Sequence, residues 1–336
     1  MLNRLRSESG FSLAEVLVST GLLLIVSSIV TSALMQMTQQ QATIWNRTEM
    51  HSGVRGATEL LQQEVGQAGR VALPNTVTLG APVAAAASCD AGVPLTNAVT
   101  VAVSSVSGMY ASAGPPAAYE LLTVLDGDAR ETIKLAAIQT SPPQITACFT
   151  NAHAAGAVIA PMGAFATGIL PPTGLVNGST ANRLKLYGDI NADGNMVYIE
   201  YYCDNGDPGT DGTFNLYRNV MAFDAGSKPA LTNSMILLSN VHPNPPDMGG
   251  VARPCFQYQT ATMTVQGTPF TFVLDVAVTL TAWTEQLDPV THQYQTETKA
   301  LLNVSPRNVF SAWSLASIGY TDRIQSTPAT VTALLP

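Results

Sequence analysis

The stretch "DINADGNMVYIE", Asp189 to Glu200, sets Asp, Asn and Asp at alternate positions before a glycine, with a glutamate at the twelfth. Oxygen ligands at that spacing can converge on calcium, which takes six to eight oxygens. The twelfth-position glutamate reaches the ion only where the chain leaves the loop as a helix. Here "NMVYIEYY" alternates like a strand. Five residues at about 3.3 Å each then carry Glu200 roughly 16 Å past Asn195. The expected calcium ligands are therefore Asp189, Asn191, Asp193 and the Asn195 carbonyl, with Glu200 outside the set. A second acidic turn, "CDNGDPGTDG", could add Asp204 or Asp207. A plain polar turn is the competing reading, because Asp, Asn and Gly are also the default turn residues.

Cys89, Cys148, Cys203 and Cys255 are far apart, with no C-x-x-C pair, which excludes the common zinc patterns. Four cysteines in an exported chain suggest two disulfides, for which three connectivities exist. Locality favours Cys89–Cys148 with Cys203–Cys255; four unpaired thiols are the alternative for a chain that is not exported. No G-x-S-x-G, H-E-x-x-H or phosphate-binding glycine motif is present, and no enzyme is expected. The histidines at 51, 153, 242 and 292 are scattered. Glu120, Asp126, Asp128 and Glu131 surround one turn beside Arg130 and Lys134, and read as a solvated hairpin tip. The chain is 11% charged with net charge -8 and four lysines, which argues against nucleic acid as a partner.

These candidates need elements to position them. From Phe11 to Asn46 the one ionisable side chain is Glu15. The 25 residues from Phe11 to Met35 would span about 37 Å as a helix, more than the ~30 Å hydrocarbon core of a bilayer. Arg4 and Arg6 precede the run, which keeps the N-terminus cytoplasmic and sends the rest outward. A carboxylate inside such a helix costs at least about 2.5 kcal/mol without a partner. Beyond Met35, apolar residues recur at Met50, Val54, Ala57, Leu61, Val65 and Ala68, one face of a continuing helix. Gly69 stops it and Pro74 bars further extension.

After Pro74 the chain reads as strands, including "YELLTVLDGDARETIKLAAI", "NMVYIEYYC" and "PFTFVLDVAVTLTAWTEQLDPVTHQYQTETKALLNV". "LDGDARE" predicts a hairpin turn and "EQLDPVTHQY" a longer hairpin loop. Ala/Gly/Pro-rich pieces near 81–88, 111–118 and 151–181 read as long loops. The expected fold class is α+β: a long N-terminal helix with an apolar first half, packed on a β-rich globular head. The expected segments are 1–10, the helix 11–70, the head 71–310, and a loosely ordered Ser/Ala/Thr-rich tail 311–336.

The residues "GFSLAEVLV" resemble the class III signal of type IV prepilins, a basic leader ending in Gly, then Phe, then Glu five residues into the mature chain. The resemblance implies cleavage between Gly10 and Phe11 by a prepilin peptidase, methylation of Phe11, and pairing of Glu15 with an adjacent subunit's N-terminus. Many major pilins carry a proline about two-thirds along the apolar segment; none occurs here before Pro74, so their kinked helix is not carried over. "GATELLQQEVGQAGR" and "DPVTHQYQTETKALLNVSPRNV", with Arg307 and Asn308 as a terminal Arg-Asn motif, are similar to PilW-type minor pilins. The likeness covers both ends and the acidic loop, and residues 75–180 add nothing to it. It implies a structural subunit at or near the tip of a type IV pilus, held first in the bacterial inner membrane with its head in the periplasm. Implied partners are other major and minor pilins and the inner-membrane assembly machinery, with calcium the one cofactor expected. The alternatives are a J-type pseudopilin of type II secretion and a pilus-displayed, calcium-stabilised adhesive module.

Overall fold

The computed structural model describes residues 10–89, 95–111, 119–204 and 214–334. The chain forms two units, Met1–His51 with Thr284–Gln295, and Ser52–Trp283 with Thr296–Pro336. Helix α1 (Leu13–Gln67) is unbroken over 55 residues and passes through both. Its sequence contains no proline, so no backbone donor is lost. In its apolar half several hydroxyls turn back onto the helix: Thr20 donates to the Val16 carbonyl, Ser28 to Ile25 and Thr31 to Ser27, each at 2.8 Å. Those polar groups therefore need no water.

In the first unit the 284–295 loop closes on itself. Thr284 N donates to Gln295 O at 2.9 Å, and Asp288 Oδ1 accepts from Val290 N at 2.8 Å and Thr291 N at 2.9 Å. The Arg47 guanidinium of α1 donates to the Gln295 side chain.

In the second unit α1 buries Val54, Ala57, Leu61, Val65 and Ala68, the face its periodicity predicts. Six strands follow: β1 (Val77–Thr78), β2 (Val99–Ala102), β3 (Glu120–Leu125), β4 (Glu131–Thr140), β5 (Pro143–Ala147) and β6 (Val158–Pro161). They form one sheet in the order β1-β6-β3-β4-β5-β2. After β7 (Ala164–Phe165) come β8 (Arg183–Gly188), β9 (Val197–Cys203), β10 (Asn215–Ala222) and β11 (Ile236–Ser239), which pair in sequence as an antiparallel sheet. A third sheet joins β12 (Val241–His242), β13 (Phe256–Val265), β14 (Thr268–Trp283) and β15 (Thr296–Val304), with the 16-residue β14 at its centre. The chain ends with α2 (Arg307–Ser317), β16 (Ile324–Gln325) and α3 (Ala329–Ala333). The architecture is the expected one, a long helix followed by a β-rich globular region, and both predicted hairpins form, as β3–β4 and β14–β15.

Two expectations are corrected. The 151–181 segment is not a plain loop: β6 pairs with β3, and β7 pairs in parallel with β16. Its small residues permit close approach, since a Cβ on Gly168 would lie 2.2 Å from the Gly69 Cα. Nor do the described residues of 311–336 form a loose tail. Ala316 and Ile324 join the core around Phe270 and Phe272, and Val331 and Leu334 join the one around Phe165 and Tyr187. Gln325 is fully buried, donating to the Leu121 and Met162 carbonyls while its side-chain oxygen accepts from Leu121 N at 2.8 Å. A polar composition hid a segment anchored by a few apolar side chains and one amide.

The end of α1 is fixed from several directions. Gly69 takes φ +81°, the left-handed conformation that ends helices and that glycine adopts without penalty. Asn308 Nδ2 donates to the Gln67 carbonyl at 3.0 Å and the Ala68 carbonyl at 3.4 Å, satisfying acceptors that a helix C-terminus leaves open.

Candidate functional site

Gly10, Phe11 and Glu15 lie at the start of α1. Phe11 is 81% exposed. Ser12 caps the helix, its Oγ accepting from Glu15 N at 3.3 Å. Glu15 falls in the first turn, where the positive end of the helix dipole favours a carboxylate. From Leu13 to Met35 none of the large apolar side chains is buried, and Leu13, Leu24 and Leu23 are 82%, 71% and 65% exposed. This is the one described helix long and apolar enough to cross a membrane, and it is a candidate anchor.

The acidic loop follows β8. Asp189 is buried, and its Oδ1 accepts from Asp193 N at 3.0 Å and Gly194 N at 3.3 Å. Its other oxygen lies 3.4 Å from Arg70 Nε. Asp193 Oδ1 accepts from Asn195 N at 2.8 Å, and Asn191 stands exposed. Ala192 and Gly194 take positive φ, turning the chain tightly enough for these bonds. Both Asp189 oxygens are thus engaged, one of them by a cation, and no group of three or more His, Cys, Asp or Glu gathers for a metal among the described residues. The bonds formed are those of a self-bonded polar turn, the competing reading of this stretch. Glu200 points elsewhere, held between Arg183 and Lys228, the latter at 2.9 Å. Asp204 is buried in the head, and Asp207 lies outside the described residues.

The cysteines pair as Cys89–Cys148 and Cys203–Cys255, with Cα separations of 5.6 and 6.4 Å, inside the usual disulfide range. They fasten the first sheet to the loop before β2, and the end of β9 to the start of β13.

The carboxylates around the β3–β4 turn are not simply a solvated tip. β3 is covered on both faces, so Glu120 is fully buried and burial pushes its pKa well above the usual carboxylate range. Among the described residues, it accepts a hydrogen bond from Tyr110 N at 2.8 Å. Glu131 accepts from Thr150 N at 2.8 Å and Asn151 N at 3.1 Å, and contacts His153 Nε2 at 2.7 Å. Asp126 lies 3.5 Å from the other nitrogen of this buried ring. The pair of carboxylates clamps His153 and with it the loop after β5. Asp128 stays exposed.

A second buried ion group escaped sequence reasoning. Glu64 of α1 is buried, accepts the Tyr201 hydroxyl, and takes Arg218 Nε at 3.1 and 3.2 Å. Its spacing was the available signal: Glu64 follows Leu61 by three and precedes Ala68 by four, so it shares the inward face. No family model matches the chain, and neither a curated protein nor a solved structure matches it.

Proposed function

We propose that this chain is a minor pilin, a structural subunit that waits in the bacterial inner membrane and enters a type IV pilus at or near its tip. The observation that carries the reading is the apolar half of α1. Its large side chains are exposed throughout, the Ser19, Thr20, Ser28 and Thr31 hydroxyls are satisfied within the helix, and the same helix continues into a half packed on a globular head. A bilayer, and afterwards a bundle of like helices, supplies the surroundings that such a surface requires.

Cleavage after Gly10 would place a cationic amine on Phe11, four residues before Glu15. In a lipid-surrounded bundle, a neighbouring chain's amine is the partner that offsets the cost of the Glu15 carboxylate, and that requirement fixes the axial register between subunits. The head, held to the outer half of α1, would remain on the filament surface.

N-terminal mass spectrometry of the mature protein tests the reading. A chain beginning at methylated Phe11 is expected. An intact Met1, or a start beyond residue 30, overturns it.

A further inference from the structure

Beside the head-packed end of α1 lies an open groove of about 710 Å³. One wall is the outward face of the helix, carrying Gln62, Gln63 and Gln67; Asn191 of the acidic loop stands in the other, and Arg307 completes the lining. Neither wall is slack. The loop is tied down through buried Asp189, and Asn308, next to Arg307, is bonded to the last carbonyls of α1. The volume suits a ligand cleft, but such sites for small molecules are mostly apolar. Here four carboxamides line the space, each both donor and acceptor, a set that matches successive peptide groups.

The charge left over is positive. Glu64 is taken by Arg218, and Glu59, also in the lining, pairs with Arg55 at 2.7 Å. Arg307 is exposed and has no ion-pair partner among the described residues. It is also the first residue of α2, and Pro306 at that helix's cap supplies no side-chain acceptor. The positive end of α2 therefore adds to the guanidinium. A carboxylate is the group that a planar guanidinium fork beside a helix N-terminus recognises best.

We propose that the groove binds an extended acidic segment of a partner polypeptide, with a carboxylate on Arg307 and main-chain groups on the carboxamides. The inference rests on the filament reading for the source of that segment, a neighbouring subunit. The test uses the full chain in detergent micelles carrying Gln63→Cys. The native cysteines are all in disulfides, so the new thiol is the one alkylation target. Millimolar hexaglutamate peptide is expected to slow alkylation at least about five-fold. Hexalysine should not slow it, and Arg307→Glu should abolish the protection without lowering the melting temperature, since a carboxylate suits the first turn of α2. Arg307→Lys should retain part of it, because the charge remains. Equal labelling with and without hexaglutamate overturns the proposal, as does protection that survives Arg307→Glu. Protection by polygalacturonate alone would overturn it in favour of a sugar acid. An N-terminal mass spectrum of the same sample reports on the filament reading separately.

Discussion

Glu15, Glu120 and Asp189 are carboxylates in three different settings, and each leads to a different experiment. Glu15 sits in the apolar half of α1, where a bilayer would tolerate it only with a partner. Under the filament reading proposed above, Glu15→Ala is expected to spare cleavage at Gly10 but to lower recovery in sheared filaments at least about tenfold, given the ~2.5 kcal/mol scale of an unpaired charge. Normal recovery would count against its register role. Glu120 has a folded-state pKa raised by burial, so the native state binds a proton that the unfolded chain has released once pH exceeds the ordinary carboxylate value. Stability should therefore fall as pH rises from about 4.5. Glu120→Gln should flatten that decline and raise the melting temperature near pH 8, by several degrees if the buried charge costs about 1–3 kcal/mol. Melting curves between pH 4 and 9 decide the point. Asp189 is engaged by Arg70 and two amides. Asp189→Asn should lower stability by about 1–3 kcal/mol equally with calcium or with chelator. A melting temperature of the native chain that rises with calcium would contradict the polar-turn assignment.

At the scale of elements, the sequence is most legible where periodicity and turn chemistry agree. Met50, Val54, Ala57, Leu61, Val65 and Ala68 are all buried, and Gly69 ends the helix because its φ of +81° suits glycine alone among the nearby residues. The β3–β4 and β14–β15 turns were legible for the same reason. What stayed hidden depends on distant partners. Nothing local marks Gln325 as a core residue until Leu121 and Met162 stand beside it, and Glu120 reads as a turn carboxylate until both faces of β3 are covered. The acidic pattern at 189–195 left two readings open, because calcium loops and self-bonded turns use the same residues. The joint at the end of α1 tests how these distant contacts act. Gly168→Ala would push a methyl into the Gly69 backbone and should cost about 1–3 kcal/mol or more. Asn308→Ala, which removes a donor from the Gln67 and Ala68 carbonyls, should cost about 1 kcal/mol. Urea midpoints at constant slope provide the comparison; a neutral Gly168→Ala would show that the close approach is not required.

For the whole molecule, the decisive quantity is the balance between one carboxylate and a long apolar surface. Each exposed Leu, Ile or Val of α1 gains roughly 1.5–3 kcal/mol on leaving water, whereas Glu15 loses about 2.5–3.5 kcal/mol if it enters lipid unpaired. Leu17, Leu22, Leu23, Leu24, Ile25 and Ile29, each more than half exposed, already outweigh that loss. The full chain should therefore sediment with membranes through a high-salt wash and be released by detergent. The second unit carries its own means of folding. The apolar cores around Leu122, Phe165 and Phe272 draw on residues beyond Ser52, and both disulfides lie there. A chain beginning at Ser52 should accordingly be soluble without detergent and melt in one cooperative transition. Replacing both Cys203 and Cys255 by serine in that shorter chain should remove about 2–5 kcal/mol, the usual worth of a native disulfide in a small secreted domain. Fractionation and thermal melts of the two lengths separate the contributions. If the shorter chain still partitions into membranes, the apolar half of α1 is not the anchor; if it melts without cooperativity, the head depends on residues that were removed.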